Sequence, residues 1–355
     1  MSRAVRTPGG LSLRLDVRAL IVVVVLLLLA AGTAGVALIG TGDARIPAGD
    51  VLRTLAGDGT AYQDFIVKEL RLPRVLVGLL VGASLGLGGA LFQALSRNPL
   101  GSPDVLGLSQ GSTAGALVVI VLMSGSAAQV TAGALAGGLV TGCAIYLLAW
   151  KRGVHGYRLV LVGIGVSAIV TAVNGYLLTE ADLVDATRAV VWMTGSLDGR
   201  DWEQVWPLLW LCAVLVPLVL VNARGLRMME MGDDVANALG VRVQRVRLVL
   251  TVCAVLLTAA ATAAAGPVSF VALTAPQLAR RLTLPRFAKG ARGAPAPGPC
   301  LLPSLCTGAA LLVTADWAAQ RAFGADRLPV GVVTGVLGGC CLLWLLVAER
   351  RAGRI

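Results

Sequence analysis

The chain has 355 residues, 57% of them hydrophobic and only 14% charged, against about 25% charged in a soluble domain. Apolar content this high over this length exceeds what one globular core can hide, so most soluble enzymes are excluded and the solvent for most of the chain is lipid. The net charge of +11 would suggest nucleic acid in a soluble protein, and its distribution must therefore be read before its sum.

A helix crossing the hydrocarbon layer needs about 20 apolar residues, and ten runs of that kind are predicted. A basic leader over 1–18, with Arg3, Arg6, Arg14 and Arg18, precedes the first run, Ala19 to Ile39. The leader resembles a signal peptide, but no small-residue cleavage site followed by a soluble domain is found, and the run is read as a retained span. Residues 40–71 follow as an amphipathic connection punctuated by Gly and Pro, expected to hold short interfacial helices. The next four runs are Leu72 to Phe92, Val105 to Met123, Ala128 to Trp150 and Leu159 to Leu178. A second amphipathic connection, 179–204, is read in the same way. The last five are Val205 to Val221, Val246 to Ala265, Val268 to Leu282, Leu301 to Ala322 and Pro329 to Val347, the eighth being short and interrupted by Pro276.

Ten spans beginning in the cytoplasm put both termini inside, and the basic residues test that orientation. The leader, Arg97, Lys151, Arg152 and Arg158, the cluster from Arg224 to Arg247, the cluster from Arg280 to Arg292, and Arg350, Arg351 and Arg354 all fall inside. The outer connections carry most of the acids. The basic excess is therefore a topology signal, and no nucleic-acid partner is expected. The whole of 19–350 reads as one ten-span domain.

Two inner loops differ in character. Residues 228–240 are expected to form a cytoplasmic helix, because Met228, Met231, Val235 and Leu239 recur at three and four while Glu230, Asp233 and Asp234 lie on another arc. A helix lying on the membrane surface is one reading, but acids and Met suit a protein groove better than anionic lipid. Within it, Gly232 and Gly240 bracket a short helix. Residues 283–300, rich in Ala, Gly and Pro, read as a mobile loop, an insertion or a locally altered frame with no function placed in it.

The chemistry available is narrow. A phosphate-cradling loop needs Gly followed by Lys and then Ser or Thr, but none of Lys68, Lys151 and Lys289 follows a glycine, so any ATP is hydrolysed on another chain. No catalytic residue is expected. His155 is the single histidine, which leaves little for a metal site. The seven cysteines lie mostly in apolar runs and read as buried free thiols. Asp316 is the acid placed within a span: a proton-driven transporter would need it to titrate, while the plainer reading makes it a structural hydrogen-bonding group at the outer end of the ninth helix. The 44 glycines, dense in Gly78 to Leu91, read as close helix packing. A membrane scaffold or receptor is the non-transport alternative.

The run from Arg71 to Ala116 carries R-L-P-R, an N-P-L-x-x-P turn (Asn98, Pro99, Leu100, Pro103) and L-G-x-x-x-G (Leu106, Gly107, Gly111). With MGDDVANALGVRVQRVR, AAAGPVSFVALTAPQLAR and LPVGVVTGVLGG further on, it resembles the FecCD or BtuC-type permeases of binding-protein-dependent ABC importers for ferric siderophores, haem and cobalamin. The resemblance implies an all-α membrane fold and a second permease, identical or paralogous. It also implies two cytoplasmic ATPase subunits that bind ATP and magnesium, and an extracytoplasmic substrate-binding protein; no cofactor is implied on this chain. It assigns ATPase coupling to Glu230, Gly232, Asp233, Ala236, Leu239 and Gly240, binding-protein docking to Arg71, Arg74 and Arg321, and a cytoplasmic gate to Gly156 and Tyr157. Ferric siderophore is the expected cargo, with haem or cobalamin as alternatives. The sequence departs from the family at Gln277, where a histidine is usual after Pro276, at Arg327, where the family has an acid, and at Gln320, where the family has the arginine of its Asp-x-x-x-Arg motif.

Overall fold

The computed structural model describes residues 2–6, 12–16, 21–27, 29, 30, 32, 46–104, 106–150, 156–283, 299–321 and 328–351. His155, Arg327 and nearly all of the expected 283–300 loop lie outside these residues, and the expected first span is described only at 21–27, 29, 30 and 32, all helical. The basic leader contains a short antiparallel hairpin, β1 (Ser2–Arg6) with β2 (Ser12–Asp16), in which Ala4 opposes Arg14. The rest is helical.

The outer connection before the second span holds α1 (Ala48–Ala56) and α2 (Ala61–Asp64), as its amphipathic pattern requires. A capping box fixes the start of α2: the Thr60 hydroxyl accepts from the Gln63 amide, and Gln63 accepts from the Thr60 amide. A π-helical stretch, Phe65–Arg71, then leads without a break into α3 (Leu72–Ser96), with Pro73, which has no N–H to donate, just past the junction.

A turn over 97–107 connects to α4 (Leu108–Leu117), which ends in a π-helical stretch, Val118–Leu122. Next come α5 (Ala127–Ala149), opened by a Ser126–Gln129 capping box, and α6 (Gly156–Glu180). The second outer connection holds α7 (Leu183–Met193). Then α8 (Trp202–Met229), α9 (Asp233–Ala238) and α10 (Val243–Ala265) follow. The chain closes with α11 (Val271–Thr283), α12 (Leu301–Arg321) and α13 (Val330–Arg351).

Among the described residues six helices are long and apolar enough to cross a membrane: the continuous 61–96 helix, α5, α6, α8, α10 and α12. Leu108–Leu122 and Val330–Trp344 are shorter apolar helices. The expected eighth span is only the 13-residue α11.

The core sits around α3, which packs against α12, α10, α11 and α8. Leu85, Leu87, Leu91 and Phe92 of α3, Leu250 and Leu257 of α10 and Leu312 of α12 are fully buried. Glycine makes these contacts possible. A Cβ on Gly82 would strike the carbonyl of Gly308, one on Gly86 the carbonyl of Ser304, and one on Gly89 the carbonyl of Ala272. The same device joins α4 to α5, where Gly111 and Gly115 face Gly137 and Gly133, a small-residue spacing of four that brings helix backbones together in lipid. By contrast, α6 and α8 leave large apolar side chains such as Ile169, Val173, Trp210 and Val214 outward, surfaces suited to lipid or another membrane subunit.

Two expectations need correction. The predicted helix over 228–240 is two helices: α8 ends at Met229, and Gly232 at φ +117 begins a new direction for α9. Met228 therefore belongs to a different helix from Val235, and the periodicity runs through a break only a glycine tolerates. The cysteines are not uniformly buried: Cys253 and Cys306 are, whereas Cys143 and Cys340 face outward from the bundle, where an apolar thiol meets hydrocarbon at little cost.

Candidate functional site

One end of the bundle is built around Asp233, the first residue of α9. Its carboxylate accepts from Arg247 of α10, with Nη2 at 2.9 Å from Oδ1 and 2.8 Å from Oδ2. Nη2 of Arg97 donates to the same Oδ1 at 2.6 Å and also to the carbonyl of Met229, the last residue of α8, at 2.7 Å. The carboxylate thus joins α9 to Arg247 of α10 and to Arg97 at the end of α3, and Arg97 in turn reaches the end of α8. Burial raises the Asp233 pKa, but hydrogen bonding and charge from Arg247, then from Arg97, outweigh it and hold the group below its ordinary value. Glu230 behaves oppositely: burial lifts its carboxyl, against the pull of Arg280 and Arg227.

Around this ion cluster, the coupling residues expected from the sequence divide by exposure. Ala236 is buried, and its small side chain lets α9 lie close against its neighbours. Met231, Val235 and Leu239 stand exposed on the same short segment. Gly240 has φ +82 and Gly232 φ +117, conformations that L side chains rarely adopt.

The Asn98–Pro99–Leu100 turn lies next to the same cluster. Asn98 Oδ1 accepts from the Leu100 amide at 2.9 Å, an Asx turn, and the Asn98 carbonyl accepts from Gly101 N at 3.0 Å. The Pro99 carbonyl accepts from Gln277 Nε2 at 2.5 Å, tying the turn to α11. Pro103 O accepts from Leu108 N at 3.2 Å as α4 begins. Gly107, at φ +83, leaves no room for a Cβ beside Ser167 of α6. Gly156 opens α6, and Tyr157 beside it is 81% exposed.

A second cluster lies at the other end of α3. Arg74 clasps Asp316 of α12 through Nε at 3.1 Å and Nη2 at 2.9 Å, while Nη1 reaches Asp198 at 2.7 Å. Asp316 also accepts from Gln320 Nε2 at 2.7 Å. The acid that a proton-driven mechanism would need to titrate is thus held in a fork–fork ion pair, as the structural reading expected. Asp198 sits in a turn between Gly195 (φ +71) and Gly199 (φ +65). Arg188 Nη2 donates to the Gly125 carbonyl at 2.7 Å. Arg74, Arg188 and Asp198, with Arg200, whose pKa burial lowers against Asp201 and Asp198, line a cavity of about 390 Å³ that also includes Trp192 and Pro329.

The other expected docking residues are placed separately. Arg71 closes the π-helical stretch one turn before Arg74, and the guanidinium of Arg321 lies 5.2 Å from the Trp317 ring centroid, a cation–π contact. Among the described residues no group of three or more His, Cys, Asp or Glu side chains could hold a metal ion.

Sequence reasoning named Asp233 but missed its two arginine partners, which lie 136 and 14 residues away. It also missed Asp198 as a partner of Arg74, 124 residues distant. The signal that could have found Arg247 was its place near the start of an otherwise apolar span, where an arginine demands a carboxylate.

Among the described residues, a bundle with six helices long and apolar enough to cross a membrane and ion-paired clusters at its two ends has the architecture of a multi-pass membrane protein. Residues 20–348 match the FecCD transport family, and the chain belongs to it. It is 43% identical over 338 residues to the ferric enterobactin transport system permease protein FepG of Escherichia coli (strain K12), covering 94% of this chain and 98% of that one. It is 37% identical to the iron(3+)-hydroxamate import system permease protein FhuG of Bacillus subtilis (strain 168), covering 83% and 88%. The fold is that of a chain described as a metal-chelate type ABC transporter, solved in an inward-facing conformation: the TM-score is 0.75, the identity 25%, and the coverage 93% of this chain and 99% of that one.

Proposed function

We propose that this chain is the permease subunit of an ABC importer that moves a ferric siderophore chelate across the cell membrane into the cytoplasm. The observation that carries this reading is full-length similarity to ferric siderophore permeases, joined to a cytoplasmic element with exposed apolar side chains on an ion-paired base. A second permease, identical or paralogous, completes the pore. Two cytoplasmic ATPase subunits bind ATP and magnesium and hydrolyse the nucleotide, and an extracytoplasmic binding protein delivers the chelate.

In this reading Met231, Val235 and Leu239 enter a groove on the ATPase, while Glu230, Gly232, Asp233, Ala236 and Gly240 shape and hold that element. Arg71, Arg74 and Arg321 meet carboxylates of the binding protein; Arg74 does so by exchanging Asp198, the more exposed of its two partners, for an incoming acid. Gly156 and Tyr157 stand at the cytoplasmic mouth as the gate. A pore for a bulky chelate needs few polar groups, so selectivity rests chiefly with the binding protein.

The test is radioiron uptake from ferric enterobactin, a ferric hydroxamate and ferric citrate, with labelled haem and cobalamin alongside, in cells lacking the gene and in complemented cells. One ferric chelate should be lost and restored. Gly240→Asp, which puts a side chain at a left-handed position, and Glu230→Lys should abolish the restored uptake while the protein still inserts. Restoration of haem or cobalamin alone would overturn the cargo, and normal uptake by both variants would overturn the coupling assignment.

A further inference from the structure

The short helix α9 has almost nothing of its own to hold it. Six residues make less than two helical turns, far below the length at which a helix persists alone, and Ala236 is its one buried side chain. Val235 on it, with Met231 and Leu239 at its flanks, stands exposed. Beyond Ala236, its side-chain anchor is the carboxylate of Asp233.

The two arginines that grip this carboxylate are unusual for their places. Arg97 is the residue after the last turn of α3 and has φ +52, a left-handed conformation where glycine is the ordinary choice. An L side chain is disfavoured there, and what it supplies is a guanidinium bonded to both Met229 O and Asp233. Arg247 is 6% exposed in the first turns of α10, where an ionised side chain without a counter-charge would be costly. The two spans they belong to pack against each other through the centre of the bundle.

We infer that Arg97 and Arg247 are positioning residues for energy coupling: by clamping Asp233 they fasten α9 to α3 and α10, so that a displacement of α9 by a cytoplasmic partner moves those two spans together. The inference rests on the coupling role proposed above. Without the clamp, α9 would yield on its own, and the partner could complete its cycle while the spans stayed still. The same clamp connects α9 to the helix that carries Arg74 at its other end, 23 positions away and about 35 Å at the helical rise.

The test uses the full chain assembled with its ATPase subunits and binding protein in vesicles. Iron delivered and ATP hydrolysed are both measured, with whichever of ferric enterobactin, ferric hydroxamate or ferric citrate the unaltered chain carries best. Arg97→Met should lower iron delivered per ATP about threefold to fivefold, the scale of losing a half-exposed charge pair with a hydrogen bond to a backbone carbonyl, while hydrolysis does not fall with it. Arg97→Lys, which keeps the charge but not the double contact, should recover part of the ratio. Arg247→Met should act in the same direction, but it strips a buried site and Arg97→Met is the deciding variant. An unchanged ratio in Arg97→Met overturns the inference, and so does a proportional fall of hydrolysis and transport, which is what a merely structural defect produces. If the unaltered complex moves no iron with ATP, the importer reading itself fails, a result distinct from either.

Discussion

Asp316 shows how far a single residue can be read before its surroundings are known. Its place near the end of an apolar run left two roles open, a titrating acid and a structural hydrogen-bonding group. The partner that decides between them, Arg74, is 242 residues away in the chain. The two acids on Arg74 should differ greatly in weight. The Asp316 side chain is 7% exposed and that of Asp198 63%, so removing the first strands a guanidinium in a poorly solvated place, whereas removing the second leaves a gap that water fills. Asp316→Ala should cost about 3–5 kcal/mol and Asp198→Ala about 0–1 kcal/mol. The midpoint of thermal unfolding of each detergent-solubilised variant checks this: a large downward shift is expected for the first and little change for the second, and equal shifts would contradict the burial argument.

Elements were legible where one physical rule dominates. Lipid demands long apolar helices with every backbone group satisfied internally, so α3, α5, α6, α8, α10 and α12 follow from composition and length. Where two rules compete, the sequence is a poorer guide. The apolar repeat from Met228 to Leu239 continues through Gly232, and periodicity alone does not reveal that this glycine adopts φ +117 and breaks the helix. The π-helical stretches Phe65–Arg71 and Val118–Leu122 carry no such punctuation and were not legible at all. Glycine density did foretell close packing, and the structure names the pairs. Gly82→Val should push α3 from α12, because even a Cβ there runs into the Gly308 carbonyl, whereas Gly175→Ala on α6 meets nothing within 4 Å. The yield of monodisperse protein after solubilisation should collapse for the first and hold for the second; equal yields would mean that the α3–α12 contact gives way freely.

At the scale of the whole molecule, the charge count and the fold divide the chain in the same way. Counting basic residues put the Arg97 turn and the 224–247 segment on one side and Arg74, Asp198 and Asp316 on the other. In the folded chain the members of each set bond to one another at opposite ends of α3. The separation of these residues into two end groups was therefore legible from charge, and the family from the ordered motifs. The pairings that join distant segments at each end were not, because nothing in a linear chain marks which arginine meets which acid. The central claim is that ATP, spent on a partner chain, drives a ferric chelate through this bundle. It is tested most directly by radioiron uptake in complemented cells under two treatments: collapse of the proton gradient with ATP maintained, and depletion of ATP with the gradient maintained. The account predicts that uptake survives the first and stops under the second; uptake that follows the proton gradient and ignores ATP would contradict it.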